Sequence, residues 1–143
     1  MNAVSVLGLL LMVAPVLALL ATGALFSPSP VAIVLQALAV ALMVWARVTF
    51  GVRSFHPTAD PTEGGLATTG PYRFIRHPIY TAVVLFAFAG AFAHPSLLAA
   101  GLAAALLAGA LARMLAEERM LRERYPEYAE YAGRTRRMVP YVF

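Results

Sequence analysis

The chain has 143 residues, of which 61% are hydrophobic and 13% charged, and its mean hydropathy is +0.75. Ordinary soluble domains run at roughly 45–50% apolar and about 25% charged, so this balance excludes a small water-soluble globule, and it equally excludes a disordered chain, which would be polar and charge-rich. With no cysteine, disulfides, thiolate nucleophiles and cysteine-ligated zinc are excluded. The net charge of +4 rests on arginine alone; it fits the gathering of arginine on the cytoplasmic side of a membrane better than a nucleic-acid surface.

Charge placement divides the chain. Residues 1–46 and 78–112 carry no Asp, Glu or Arg, and every charge lies in 47–77 or 113–143. The first apolar block has room for two spans of about 20 residues. Ser27-Pro28-Ser29-Pro30 breaks it, because alternating prolines cannot continue a helix. Helices are therefore predicted over roughly 3–25 and 31–51. The first has no basic start and an apolar run longer than a leader needs, so it reads as a span rather than a cleaved signal.

In the second block, His94-Pro95-Ser96 separates a short helix over about 78–93 from a longer one beginning near 96. From Ser96 to Arg124 a helix would run roughly 43 Å at 1.5 Å per residue. The hydrocarbon core is only ~30 Å thick. The span should thus end near 116, with Glu117 and Glu118 emerging at the interface. Pro126 then interrupts the helix, and a short interfacial one begins near Glu127–Tyr131. The predicted fold is all-α, a single membrane domain over 1–143 with about four transmembrane helices. The loop 51–77, with Arg53, Arg73 and Arg76, and the arginine-rich tail lie together on the cytoplasmic side, opposite two uncharged turns.

All polar chemistry falls on that one side. The loop is rich in Pro and Gly, and a connection this long is often functional. Each histidine, His56, His77 and His94, precedes a proline, which marks extended backbone at a helix mouth. No metal-ligand spacing occurs, so no metal is expected. Arg73 and Arg76 flank the mouth of the helix at Pro78, where a carboxylate or phosphate is favoured; anchoring on lipid phosphate accounts for them equally well. Glu117 and Glu118 are adjacent and do not share a helix face. Glu118 pairs with Arg122 at i+4 in a surface reading, or one of the two acids faces a site and serves a bound cation. Tyr72, Tyr80, Tyr125, Tyr128 and Tyr131 form an interfacial belt or line a pocket.

The segment Gly70-Pro71-Tyr72-Arg73-Phe74-Ile75-Arg76-His77-Pro78-Ile79-Tyr80 resembles the signature of the isoprenylcysteine carboxyl methyltransferase superfamily, which includes related phospholipid N-methyltransferases. The order also matches: an RHPxY segment, a hydrophobic hairpin, a Glu-Glu pair, a tail like Tyr125-Pro126-Glu127-Tyr128-x-x-Tyr131, and a basic stretch ending at Pro140. The resemblance covers roughly 64–140. It implies S-adenosylmethionine as cofactor, bound between the RHPxY segment, the end of the last long helix and the tail. On that analogy Arg76 and His77 hold the methionine end, and Tyr72, Pro78 and Tyr80 line the pocket. Glu117 and Glu118 bind the amino group or ribose hydroxyls, and Tyr128, Tyr131 and Arg134 close the pocket from the tail. Arg76 and Glu118 are the expected catalytic pair. One departure is Ala82, where the family often has glycine; its methyl either crowds the cofactor or tightens helix packing.

The expected activity is methyl transfer to a lipidic or small hydrophobic acceptor at the membrane. A carboxylate acceptor needs no base; an amine does, and Glu117, Glu118 or His77 are near enough. The acceptor itself stays open among prenylated carboxylate, ethanolamine lipid, isoprenoid and small hydrophobe. The arginine-only, alanine-rich composition points to a bacterial membrane. Two competing readings are a small transporter, disfavoured because the middles of the spans lack an ionisable residue, and a non-catalytic membrane scaffold.

Overall fold

The computed structural model describes residues 3–51 and 66–143, with side chains from residue 6 onward. Most of the loop predicted over 51–77, including Arg53 and His56, lies outside the described residues. Five α-helices and no strand occur among those described: α1 (Ala3–Ala21), α2 (Pro30–Phe50), α3 (Pro78–Ala93), α4 (Leu97–Arg124) and α5 (Tyr128–Arg134), with a 3-10 turn at Gly70–Arg73.

The breaks follow local chemistry. α1 ends earlier than predicted. The Thr22 hydroxyl donates to the Ala18 carbonyl, Gly23 takes a positive φ of 71°, and Ala24–Ser29 run as a non-helical connector. Only glycine adopts that backbone without strain. Pro30 and Pro78 start α2 and α3, where a missing N–H costs nothing. Ser96 caps α4 by accepting from the Ala99 N–H at 3.0 Å. Tyr125, extended before Pro126, ends it. His94 closes α3 with its Nδ1 3.0 Å from the Gly90 carbonyl.

α1 packs on α4, α4 on α3, and α3 on α2. Small residues let the helices approach closely. A Cβ on Gly109 would lie 2.7 Å from Leu11 Cβ and 2.8 Å from the Gly8 carbonyl, so α1 and α4 cross at Gly8 and Gly109. A Cβ on Gly90 would overlap the Leu25 carbonyl. Gln36, buried in α2, donates through Nε2 to the carbonyls of Leu25 (2.7 Å) and Phe86 (3.3 Å), tying the α1–α2 connector and α3 to α2. Leu19, Leu25, Ala87, Ala103 and Leu106 form the core.

The outward faces are apolar: Leu7, Leu10, Leu17, Val34, Leu38 and Val44 are all more than half exposed. A patch so large suits hydrocarbon rather than water. α2 and α4 are long and apolar enough to cross a membrane; α1 and α3 are shorter apolar helices. An apolar cavity of about 240 Å³ lies among α1, α2 and α3, lined in part by Ala39, Met43, Ala82, Val83 and Phe86. Ala82 is fully buried and lines this cavity rather than the polar region.

Gly109→Ala is expected to destabilise the bundle by about 1–3 kcal/mol, the usual cost of overpacking. Gly101→Ala, on the same helix with open space around it, should leave stability unchanged or raise it slightly. Thermal unfolding of both variants in detergent checks the pair.

Candidate functional site

The polar residues converge where α3 begins, α4 sheds its apolar character and the tail folds back. The 3-10 turn presents Tyr72 and ends at Phe74, whose backbone is still helical, before the chain passes through Ile75 and Arg76 to His77. There it pairs with the tail in a short parallel bridge between Ile75 and Arg136. The Arg76 N–H donates to the Arg136 carbonyl (2.7 Å), the His77 N–H to the Arg137 carbonyl (3.0 Å), and the Arg136 N–H to the Phe74 carbonyl (3.1 Å). The Thr81 hydroxyl donates to the Met138 carbonyl at 3.0 Å, extending the clasp to α3.

Inside the clasp lies a buried ion pair. Arg76 Nε donates to Glu118 Oε1 at 2.9 Å, with both side chains under a tenth exposed. Arg76 Nη1 donates to the carbonyls of Ala132 (3.0 Å) and Thr135 (2.6 Å). One guanidinium therefore joins α3's entry, α4 and the tail. His77 Nε2 lies 3.3 Å from the same Oε1, and Arg137 Nε donates to Oε2 at 3.3 Å. Both oxygens of Glu118 are engaged. Burial alone would raise the Glu118 pKa, but hydrogen bonds from His77 and Arg76 and the Arg76 charge outweigh it, lowering the carboxyl from 4.5 to about 2. The surface pair with Arg122 is not formed: Glu118 is buried, and Arg122 sits 5.6 Å over the Tyr128 ring.

Glu117 is built differently. Its side chain is 30% exposed; Oε2 accepts from the Tyr80 hydroxyl at 3.1 Å and lies 3.9 Å from His77 Nδ1. Oε1 takes no hydrogen bond from a described residue. The two adjacent acids thus point to different tasks, as their angular separation on a helix requires.

The tail contributes two tyrosines. Tyr131 donates to the Tyr72 carbonyl at 2.7 Å and accepts, at its own carbonyl, from Thr135 Oγ1 at 2.6 Å. Tyr128 is 1% exposed, and its hydroxyl has no partner among the described residues. Such a group is costly unless something supplies a hydrogen bond. Burial pushes the phenols of Tyr72, Tyr128 and Tyr131 up, so all three stay neutral donors.

Of the residues singled out from sequence, Arg76, His77, Pro78, Tyr80, Glu117, Glu118, Tyr72, Tyr128 and Tyr131 gather here. Arg134 does not: it is exposed on α5, 3.5 Å from Glu130. Sequence reasoning passed over Thr135 and Arg137, which lock the ion pair, and Arg113, whose Nε donates to the Tyr80 hydroxyl at 3.3 Å. Arg113 carried a findable signal, a lone charge at the end of an uncharged stretch. No group of three or more candidate metal ligands occurs among the described residues.

Because the folded Glu118 pKa lies below its ordinary value, the unfolded chain takes up the proton first on acidification. The stability Glu118 contributes is complete above about pH 4.5 and is lost as pH falls toward about 2. In thermal unfolding against pH, Glu118→Gln should be less stable than wild type at neutral pH and should flatten the decline over that window.

Comparison with known proteins adds the family. The model describing phospholipid methyltransferases matches residues 30–128, which include α2, the RHPxY segment, α3, α4 and the first residue of α5. No curated protein and no solved structure matches the chain. With this match over most of its length, the chain belongs to the phospholipid methyltransferase family, part of the integral-membrane methyltransferase superfamily.

Proposed function

We propose that this protein is an S-adenosylmethionine-dependent methyltransferase acting on a lipidic or small hydrophobic acceptor at the cytoplasmic face of a bacterial membrane. The observation that carries the reading is the convergence of Arg76, His77, Tyr80, Glu117 and Glu118 with the tail tyrosines at one end of an otherwise apolar bundle. In this reading the chain is one membrane domain over 1–143. α1 to α4 serve as four spans, and the loop and tail face the cytoplasm with the arginines.

The residues suit the cofactor. Glu117 Oε1 is an open acceptor for an amino group or ribose hydroxyls. The buried Tyr128 hydroxyl, without a partner among the described residues, is a donor in want of an acceptor. S-adenosylmethionine, when bound, supplies an electrophilic methyl on a sulfonium, which needs no metal. The protein's work is then positioning, which can lower a barrier by several kcal/mol (about 7–11 in favourable cases). Arg76 and Glu118, bonded to each other and to His77, Arg137 and the tail carbonyls, hold the site's shape. Glu117 meets the ligand. An ammonium acceptor must lose a proton before it attacks; Glu117, with His77 3.9 Å behind it, is placed to take that proton. The apolar cavity, whose lining on α3 starts two residues past Tyr80, supports an acceptor that carries hydrocarbon.

Calorimetric titration of the detergent-purified protein with S-adenosylhomocysteine tests this. Wild type should bind saturably. Glu117→Ala should weaken binding about tenfold or more with little change in melting temperature, whereas Glu118→Ala should lower the melting temperature as well. A folded wild type that binds nothing would replace the enzyme with a non-catalytic scaffold.

A further inference from the structure

Arg113 belongs to none of the sequence motifs, yet it is buried, at 6% exposure, one helical turn before Glu117 on α4. A buried arginine at the end of an apolar helix is expensive and is usually kept for a function. Its surroundings fix its course. The Gly8–Gly109 crossing brings α1 against the arginine's stem so closely that a Cβ on Gly8 would overlap Arg113 Cγ. Beyond the crossing, Arg113 Nε donates to the Tyr80 hydroxyl at 3.3 Å, and that hydroxyl donates to Glu117 Oε2 at 3.1 Å. A hydroxyl that accepts from a cation becomes a stronger donor, so the two bonds reinforce each other. They also fix direction: with Nε–H on its lone pair, the Tyr80 proton points to Glu117.

We infer that Arg113 is a positioning residue for the methyltransferase site, holding the Tyr80 hydroxyl on Glu117 Oε2 so that Glu117 Oε1 is presented to the cofactor's polar groups. The inference rests on the proposed function. It gives α1, which lies outside the matched residues 30–128, a part in the site through Gly8. Arg113 touches neither cofactor nor acceptor in this scheme; it acts through Tyr80.

The test is a double-mutant cycle on S-adenosylhomocysteine affinity, measured by calorimetry with thermal unfolding of each variant. Arg113→Met and Tyr80→Phe should each weaken binding about tenfold, and the double variant no further, because both break one chain of hydrogen bonds. Arg113→Lys should stay within about threefold of wild type, since an ammonium still donates to the Tyr80 hydroxyl. A merely structural arginine would instead give losses that multiply and that track melting temperature, with no rescue by lysine. Wild-type affinity in folded Arg113→Met, or multiplying losses, overturns the positioning role and leaves the methyltransferase standing. Absence of binding by folded wild type overturns the methyltransferase reading and this inference with it. Should Arg113→Met not fold, Gly8→Ala displaces the arginine's stem instead. Its loss of affinity should vanish in the Tyr80→Phe background, and an equal loss there overturns the proposal.

Discussion

A guanidinium and a carboxylate 42 residues apart meet at 2.9 Å under the tail of this protein, and three separate stretches of chain depend on their meeting. Arg76 enters from the segment before α3, Glu118 from the last turns of α4, and Arg76 also takes the carbonyls of Ala132 and Thr135 in the tail. A buried ion pair is poor evidence for stability by itself, because desolvating two charges offsets much of their attraction. Removing one partner, however, leaves the other charge buried and costs about 3–5 kcal/mol. The pair therefore specifies an arrangement more than it strengthens a fold. His77 and Arg137 hold the carboxylate as well, so the pair does so with little freedom.

That enclosure separates the two acids. Glu118, enclosed, already spends both oxygens on Arg76, His77 and Arg137. Glu117, one residue earlier and turned about 100° around the helix, keeps one oxygen without a hydrogen bond from the described residues and 30% of its side chain exposed. Helix geometry thus turns a simple Glu-Glu pair into a strut and a candidate binding group. The same logic runs through the bundle below. Close approach at Gly8 and Gly109 seats Arg113, and Gln36 spends its amide on two carbonyls that an apolar interior would leave without partners. Polar groups deep in this molecule are few, and those described here serve to fix one element against another.

Much of this was legible in the sequence. The charge-free blocks, the Ser-Pro-Ser-Pro and His-Pro-Ser breaks and the reach of α4 past its apolar stretch place the helices within a few residues, because prolines and charges act locally. The RHPxY segment, the Glu pair and the tail tyrosines could be assembled by resemblance. What could not be read were the relations set only by tertiary contact. Whether Glu118 pairs with Arg122 or points inward depends on where Arg76 arrives. Arg134 looks like a pocket residue by position, yet α5 turns it to the surface beside Glu130. Thr135 and Arg137 sit in an unremarkable basic tail until the parallel bridge at Ile75 brings them over the ion pair. α1 ends at Ala21 rather than near 25, because one glycine at positive φ outweighs the apolar residues after it.

The central claim is that Arg76 and Glu118 act as one unit that assembles the site. A double-mutant cycle of Arg76→Gln and Glu118→Gln, read by thermal unfolding of the purified protein, addresses it most directly. The account predicts that each single variant loses about 3–5 kcal/mol by stranding its partner's charge, and that the double variant loses little more than either, giving a coupling close to one single loss. Single losses that simply add would show that the two residues act independently, and the arrangement described here would have to be held together by something else.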